Sequence, residues 1–208
     1  MMFRKMLALA VLLSAVSHLE GKTRPIGSVV ARGELLVDGY SIKGSGTAFD
    51  GTVVETGPEA QSGADLLLGN GTRITLHSNS HGTLFRDHLI LDRGEAEISA
   101  SAPYRVQIDT LVVRTTESNS GARIAIGAGR TIDVFAKEGP LEVIGSRGEI
   151  LSSIGPHKAQ DFTRNGKGGW GVSDASHRGF HDDHRDDHDH DKGDHDDHGH
   201  HNHPHPSK

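Results

Sequence analysis

The sequence contains no cysteine, and after its amino terminus it has no long apolar run. Without cysteine there are no disulfide bonds, thiolate metal sites, iron–sulfur clusters or cysteine nucleophiles. A membrane-spanning helix needs roughly 20 apolar residues, and no later stretch provides them. The net charge is −6, but residues 177–208 carry nine Asp and four Lys or Arg, net −5, which leaves −1 for the rest. A nearly neutral body lacks the basic surface that nucleic acids require, so no nucleic-acid partner is expected.

The amino terminus has the pattern of a bacterial-type signal peptide over residues 1–17. Arg4 and Lys5 precede an apolar run, and Ala15 and Ser17 provide the small residues that signal peptidase reads. This apolar run has about 11 residues, which is short for a membrane-spanning helix. An uncleaved membrane anchor is therefore a weaker interpretation than a cleaved signal peptide. We expect a mature chain that begins near His18, has no transmembrane segment after cleavage, and lies in the periplasm or outside the cell.

Residues 26–163 predict an all-β domain. Short β-branched and aliphatic runs alternate with glycine, and no amphipathic helical pattern exceeds a turn. Around residue 74 the alternation is clear, since Ile74 and Leu76 face one side and Arg73, Thr75 and His77 the other. We expect a solenoid-like or sandwich-like stack of short antiparallel strands. The expected strands are 28–31, 34–37, 52–55, 64–68, 73–77, 82–85, 88–91, 96–99, 104–109, 111–115, 122–126, 131–136, 141–144 and 149–152.

Glycine-containing turns separate these strands. The strongest hairpin signal is Asn70-Gly71 between two alternating runs, which predicts a type I′ turn. Charged residues followed by glycine predict further turns at 92–95, 137–140 and 146–149.

Several of these runs resemble the FecR protein domain. The chain has Val-Glu-Thr-Gly at 54–57, Ala-Asp-Leu-Leu-Leu at 64–68, Gly-Thr-Arg-Ile-Thr-Leu at 71–76, Ser80, and the strand pair at 89–98. Residues 106–110 and 134–143 are similar to the next two repeats of the family. The resemblance covers roughly residues 26–162 and rests on apolar and glycine positions.

The resemblance implies a β-rich periplasmic domain, known as the outer half of a membrane-spanning regulator that relays siderophore-receptor occupancy to a sigma factor. This chain departs from that plan. No cytoplasmic anti-sigma segment precedes the apolar run, and Ser-Gly-Ala-Arg-Ile-Ala-Ile at 120–126 stands where the family has Gly-Thr-x-Phe-x-Val. We therefore expect a stand-alone exported module to which the signalling role does not transfer.

The β domain offers only weak candidates for chemistry. His77 and His81 are four residues apart, a spacing that would let both bind one metal ion if the segment were a helix. Ser78, Asn79 and Ser80 instead indicate a turn between them. Gly127-Ala128-Gly129 lacks the third glycine, the lysine and the helix of a nucleotide loop, and no Gly-x-Ser-x-Gly string is present. We expect no catalytic residue and no cofactor in this domain, and hence no enzyme.

The composition changes after residue 163. Residues 164–176 are predicted to be a glycine-rich linker, and residues 177–208 contain a single large apolar side chain, Phe180, which predicts a disordered tail. The tail holds eleven of the sixteen histidines, beginning with His177. The ten that we expect to bind metal are His181, His184, His188, His190, His195, His198, His200, His201, His203 and His205.

Imidazole and carboxylate groups two to four residues apart suit borderline divalent ions, and zinc, nickel and copper(II) are the candidates. A calcium site is a weaker reading, because the tail lacks the spaced ligands of an EF-hand. Two alternatives to metal binding stay open. The tail is either a polyampholyte that keeps the protein soluble, or a pH-responsive segment that becomes positively charged in mild acid as its histidines protonate.

Two classes of function follow. The first is an exported, non-enzymatic binding module whose tail captures divalent transition metals. The second is an envelope scaffold or signalling-type domain that recognises a protein or a glycan, with a tail that only solubilises.

Overall fold

The computed structural model describes residues 24–166 and 168–175, which form an all-β structure with one short 3₁₀ turn, Ala128–Arg130. The signal peptide at 1–17 and the tail at 177–208, with its ten expected metal ligands, lie outside the described residues. The strands are β1 (Pro25–Arg32), β2 (Leu35–Val37), β3 (Tyr40–Ser41), β4 (Ser45–Phe49), β5 (Thr52–Thr56), β6 (Gly63–Leu68), β7 (Arg73–Leu76), β8 (His81–Leu84), β9 (His88–Ala100), β10 (Arg105–Ile108), β11 (Leu111–Thr115), β12 (Ser120–Ile126), β13 (Thr131–Glu138), β14 (Leu141–Ile144), β15 (Ile150–Ile154), β16 (Ala159–Arg164) and β17 (Trp170–Asp174).

The strands form two sheets that share β9. Sheet A has the order β4-β1-β6-β7-β9-β12-β13-β16-β17. Sheet B has the order β3-β2-β5-β8-β9-β10-β11-β14-β15. From β10 onward the chain places two strands in sheet B and then two in sheet A, so both sheets grow in the same direction. The all-β stack predicted from the sequence is confirmed, with one parallel pair, β9–β10, among antiparallel ones.

The inner faces of the two sheets bury one hydrophobic cluster. In sheet A, Leu66, Ile74 and Ile98 oppose one another across three adjacent strands. In sheet B, Leu89, Val106, Val113 and Val143 do the same across four. Because side chains alternate along each strand, the intervening positions form the outer faces, where the polar residues collect.

Strand β9 passes from one sheet to the other. Its first half pairs with β8 and β10 in sheet B, and its second half, from Gly94 onward, pairs with β7 and β12 in sheet A. Gly94 has a φ of 84°, which bends the strand at the crossing. The turn predicted at 92–95 is therefore wrong, because the chain changes sheets there without reversing its direction.

Three further differences concern turns and short strands. The hairpin at residues 68–72 is confirmed, but Gly71 N–H donates to Leu68 O at 2.9 Å and only Gly71 of the loop has a positive φ, which makes it a type I turn with a glycine bulge instead of type I′. Strands β3 and β4 were not predicted. Strands β16 and β17 form a hairpin that enters residues 164–176, so the predicted linker contains a strand.

No helix in the described part of the chain is long and apolar enough to cross a membrane.

Candidate metal centre

A buried hydroxyl network fixes the backbone around the candidate site. Ser80 is fully buried, and its Oγ donates to Glu95 O at 3.0 Å and accepts from Glu95 N–H at 2.9 Å. Thr56 Oγ1 accepts from Ser80 N–H at 2.8 Å and donates to His77 O at 2.6 Å. These bonds tie the β7–β8 turn to the sheet-crossing point of β9, so they set where His77 and Glu95 stand relative to each other.

Three side chains meet on the outer face of sheet A. His77 directly follows β7, and its N–H donates to Glu95 O at 3.1 Å. Its Nε2 lies 3.5 Å from Glu95 Oε1 and 3.5 Å from Glu97 Oε1. Each of the three residues has one potential metal-ligand atom, and these three atoms lie within 4.8 Å of one another. The Nε2 atom itself is buried and makes no hydrogen bond within the described part of the chain, so it faces the two carboxylates without bonding either of them.

Two basic side chains from the neighbouring strands contact the same carboxylates. Arg123 Nε donates to Glu95 Oε1 at 2.6 Å, and Lys137 Nζ donates to Glu97 Oε2 at 2.7 Å. Partial burial raises the pKa of Glu97, but the hydrogen bond and charge of Lys137, with smaller contributions from His77 and Arg123, outweigh it and hold that pKa below its ordinary value. Glu97 is therefore ionised at neutral pH.

The donor set matches the chemistry of a borderline divalent ion. An imidazole nitrogen with two carboxylates is a donor combination that zinc accepts, and in a tetrahedral site with bonds near 2.1 Å the ligand atoms stand about 3.4 Å apart. The separation of 3.5 Å between His77 Nε2 and each glutamate agrees with that spacing. Arg123 and Lys137 would compete with the ion for the same carboxylates, which predicts moderate affinity.

His77 and His81 have different partners in the structure. The turn between them carries the chain from sheet A to sheet B, and His81 Nδ1 contacts Asp92 Oδ2 at 2.9 Å instead. His88 likewise contacts a single carboxylate, Asp87, at 2.8 Å.

Sequence reasoning missed the partners of His77. The alternation placed His77 on the polar face, and Glu95 and Glu97 are separated by the two-residue step that keeps side chains on one face. The pairing register was the missing information, since it brings Leu76 opposite Ala96 and so sets His77 beside these glutamates.

Comparisons with known proteins find only distant structural similarity. No family model matches the chain, and none of the curated proteins matches it. Among solved structures, two crystal structures of a "putative anti-sigma factor" from Parabacteroides distasonis ATCC 8503 are similar. One has a TM-score of 0.47 and 14% identity, covering 59% of each chain. The other has a TM-score of 0.44 and 15% identity, covering 58% of this chain and 57% of that one. The present chain thus spans less than two thirds of those structures, and its FecR resemblance stays a prediction.

Proposed function

We propose that the protein is an exported, non-enzymatic module that binds divalent transition metal ions. The observation that carries this proposal is the convergence of His77, Glu95 and Glu97, whose candidate ligand atoms lie within 4.8 Å of one another, with His77 Nε2 3.5 Å from each carboxylate. The sequence adds eleven histidines and nine aspartates in residues 177–208. In this proposal the β structure holds one defined site, and the carboxyl-terminal segment adds capacity. Export rests on the signal-peptide pattern of residues 1–17.

The two parts are expected to bind differently. A site held by strands loses little conformational entropy on binding. Because the described residues contain one such cluster, the β structure should take one equivalent of metal. The composition of residues 177–208 predicts a segment that must order around each ion, so we expect several equivalents, weaker selectivity and moderate affinity there. Protons compete for imidazole nitrogens, so both parts should weaken in mild acid.

Isothermal titration of Zn²⁺, Ni²⁺ and Cu²⁺ tests this proposal. The mature chain from His18 would be compared with the same chain ended after Ser176, which keeps every described residue, at pH 7.4 and pH 5.5. We expect several equivalents for the longer chain and one for the shorter, both weaker at pH 5.5. Zinc heat that is absent from both chains would refute metal binding, and equal stoichiometry in the two chains would refute the role of the tail.

Within the shorter chain, His77→Ala should weaken zinc binding at least about 100-fold, because it removes a direct ligand and loss of an outer partner alone costs 10–100-fold. His88→Ala is the matched control, since His88 also contacts a carboxylate but has only one nearby. An equal effect of both substitutions would argue against a defined site.

A second candidate function is recognition of an envelope protein or glycan, and one observation favours it. A continuous row of directly opposed residues crosses the outer face of sheet B and is mostly aliphatic. Its members, all at least partly exposed, are Val53, Thr83, Ile90, Gln107, Val112, Ile144 and Ile150. Apolar surface of this kind is often a contact site. Pull-downs from envelope extract with the native chain and an Ile90→Lys variant would test it, and a partner retained equally by both would contradict this surface.

A further inference from the structure

A small pocket is lined by residues of both sheets, and none of its lining residues belongs to the candidate metal centre. It lies between the β9–β10 side of sheet B and the β12–β13 side of sheet A, and it has a volume of about 300 Å³. Its floor is formed by Leu91, Ile108 and Ile132, which are almost fully buried, and partly exposed Ile126 adds an accessible apolar side chain. Small-molecule sites typically begin at about this size and combine an apolar lining with a few polar groups.

Trp170 forms one wall of this pocket. The indole belongs to β17 at the edge of sheet A, and its Nε1 donates to Thr110 Oγ1 in the β10–β11 turn of sheet B at 3.3 Å. Arg164 lies over the indole ring, 6.0 Å from its centroid. The ring therefore spans the gap between the two sheets and is held there by contacts outside the pocket.

The acidic side chains at the rim of the pocket have partners within the described part of the chain, whereas the arginine there has none. Asp92 contacts His81, and Asp109 pairs with Arg164, so both carboxylates already have a cationic or hydrogen-bonding partner. Arg130 also lines the pocket, and within residues 24–166 and 168–175 it makes no ion pair or hydrogen bond. Its φ of 61° is uncommon for a residue with a Cβ atom, and the turn that imposes it sets the residue at the rim. The rim thus offers one unpaired guanidinium above an apolar lining.

We infer that this pocket binds a small monocarboxylate with an apolar body, with the carboxylate on Arg130 and the apolar part between Trp170 and the aliphatic side chains. Guanidinium groups form strong, two-point hydrogen bonds with carboxylates. A cationic ligand is disfavoured, because the acids that would attract it are already engaged. This inference is independent of metal binding by the protein.

The sequence contains a single tryptophan, so the intrinsic emission of Trp170 reports directly on the pocket. The probe is octanoate, titrated into the full mature chain at pH 7.4 with calorimetry in parallel, and 1-octanol and octylammonium serve as neutral and cationic comparisons. We expect saturable octanoate binding with a dissociation constant between about 10 µM and 1 mM. Octanol should bind about tenfold more weakly, and octylammonium more weakly still.

Arg130→Gln should reduce octanoate affinity about tenfold and leave octanol affinity unchanged, because the substitution removes only the charge-assisted contact. Arg147→Gln is the matched control, since Arg147 is an exposed arginine in a different turn, between β14 and β15. The inference is overturned if octanoate produces neither heat nor a change in Trp170 emission at concentrations up to about 5 mM. It is also overturned if Arg130→Gln and Arg147→Gln bind octanoate as the native chain does.

Discussion

The residues that hold His77 in place do so through a close approach that only glycine permits. A Cβ atom at position 94 would clash with Ser80 Oγ and would lie 2.5 Å from Ser80 Cα. Ser80 is also the residue whose hydroxyl bonds both the N–H and the carbonyl of Glu95. The local geometry of the candidate metal centre therefore depends on Gly94, Ser80 and Thr56, all of which stand in the motifs that resemble the FecR domain.

Gly94→Ala should lower the free energy of unfolding by about 3 kcal/mol, since it combines a left-handed φ with a steric clash. Gly148→Ala is the matched control, because Gly148 has a similar φ of 81° with nothing within 4 Å of an added Cβ. Gly148→Ala should lower the free energy of unfolding by about 1 kcal/mol, because only the unfavourable φ contributes and no clash does. Urea unfolding of both variants measures the difference, and equal losses would show that the approach to Ser80 does not matter.

Lys137→Met should have opposite effects on stability and on metal affinity. The substitution removes the ammonium group 2.7 Å from Glu97 Oε2, which leaves that carboxylate available to an ion. Without the competing charge, zinc affinity should rise about tenfold while the stability of the metal-free chain falls slightly. Calorimetry and urea unfolding of the chain ended after Ser176 test both. A purely structural role for Glu97 predicts lower stability with no gain in affinity.

The lowered pKa of Glu97 predicts an acid-dependent loss of stability. Because the folded-state pKa lies below the ordinary value of 4.5, the contribution of this carboxylate is fully present above that value and disappears as the pH falls through the folded-state pKa. In Glu97→Gln, the free energy of unfolding should therefore fall less steeply between about pH 5 and pH 3. Exposed Glu138, on the same sheet, provides the Glu138→Gln control. Parallel curves for all three chains would contradict the assignment.

At the scale of elements, the carboxyl-terminal hairpin completes the core of sheet A. Phe162 of β16 is fully buried and opposes Ile132 of β13, and β17 covers the outer edge of β16. Phe162→Ala should cost about 3–5 kcal/mol, the range typical of a large buried aromatic residue. Val172→Ala in β17, where the side chain is 43% exposed, should cost less than about 1 kcal/mol. Thermal or urea unfolding compares them, and similar losses would place Phe162 outside the core.

The sequence predicted the strands whose alternation is strong and missed those whose alternation is weak. Strands such as β7 and β10 have buried aliphatic residues at every second position, so the period is visible without the fold. Strand β16 has the single buried residue Phe162 and β17 has none, and both are strands because of their pairing partners. Strand β9 was divided in two because Gly94 looks the same in sequence whether it turns a chain or bends a strand between sheets.

The candidate metal centre was missed from the sequence for a similar reason, because it depends on strand pairing. Alternation places His77 on an outer face, but the meeting of His77, Glu95 and Glu97 depends on the register between β7 and β9. Register is a long-range property set by the whole inner face, since a one-residue slip would turn every buried side chain outward. Composition alone identifies the histidine-rich tail, whereas the candidate metal centre can be identified only once the pairing of β7 with β9 is known.

At the scale of the whole molecule, the central proposal is one defined metal site in the β structure. The most direct test is crystallography of the chain ended after Ser176 in the presence of zinc, with an anomalous map at the zinc edge. We predict one peak, within about 2.1 Å of His77 Nε2 and of an oxygen from each of Glu95 and Glu97, with Lys137 moved away from Glu97. A map without a peak there, in which Arg123 and Lys137 keep their carboxylate partners, would contradict it.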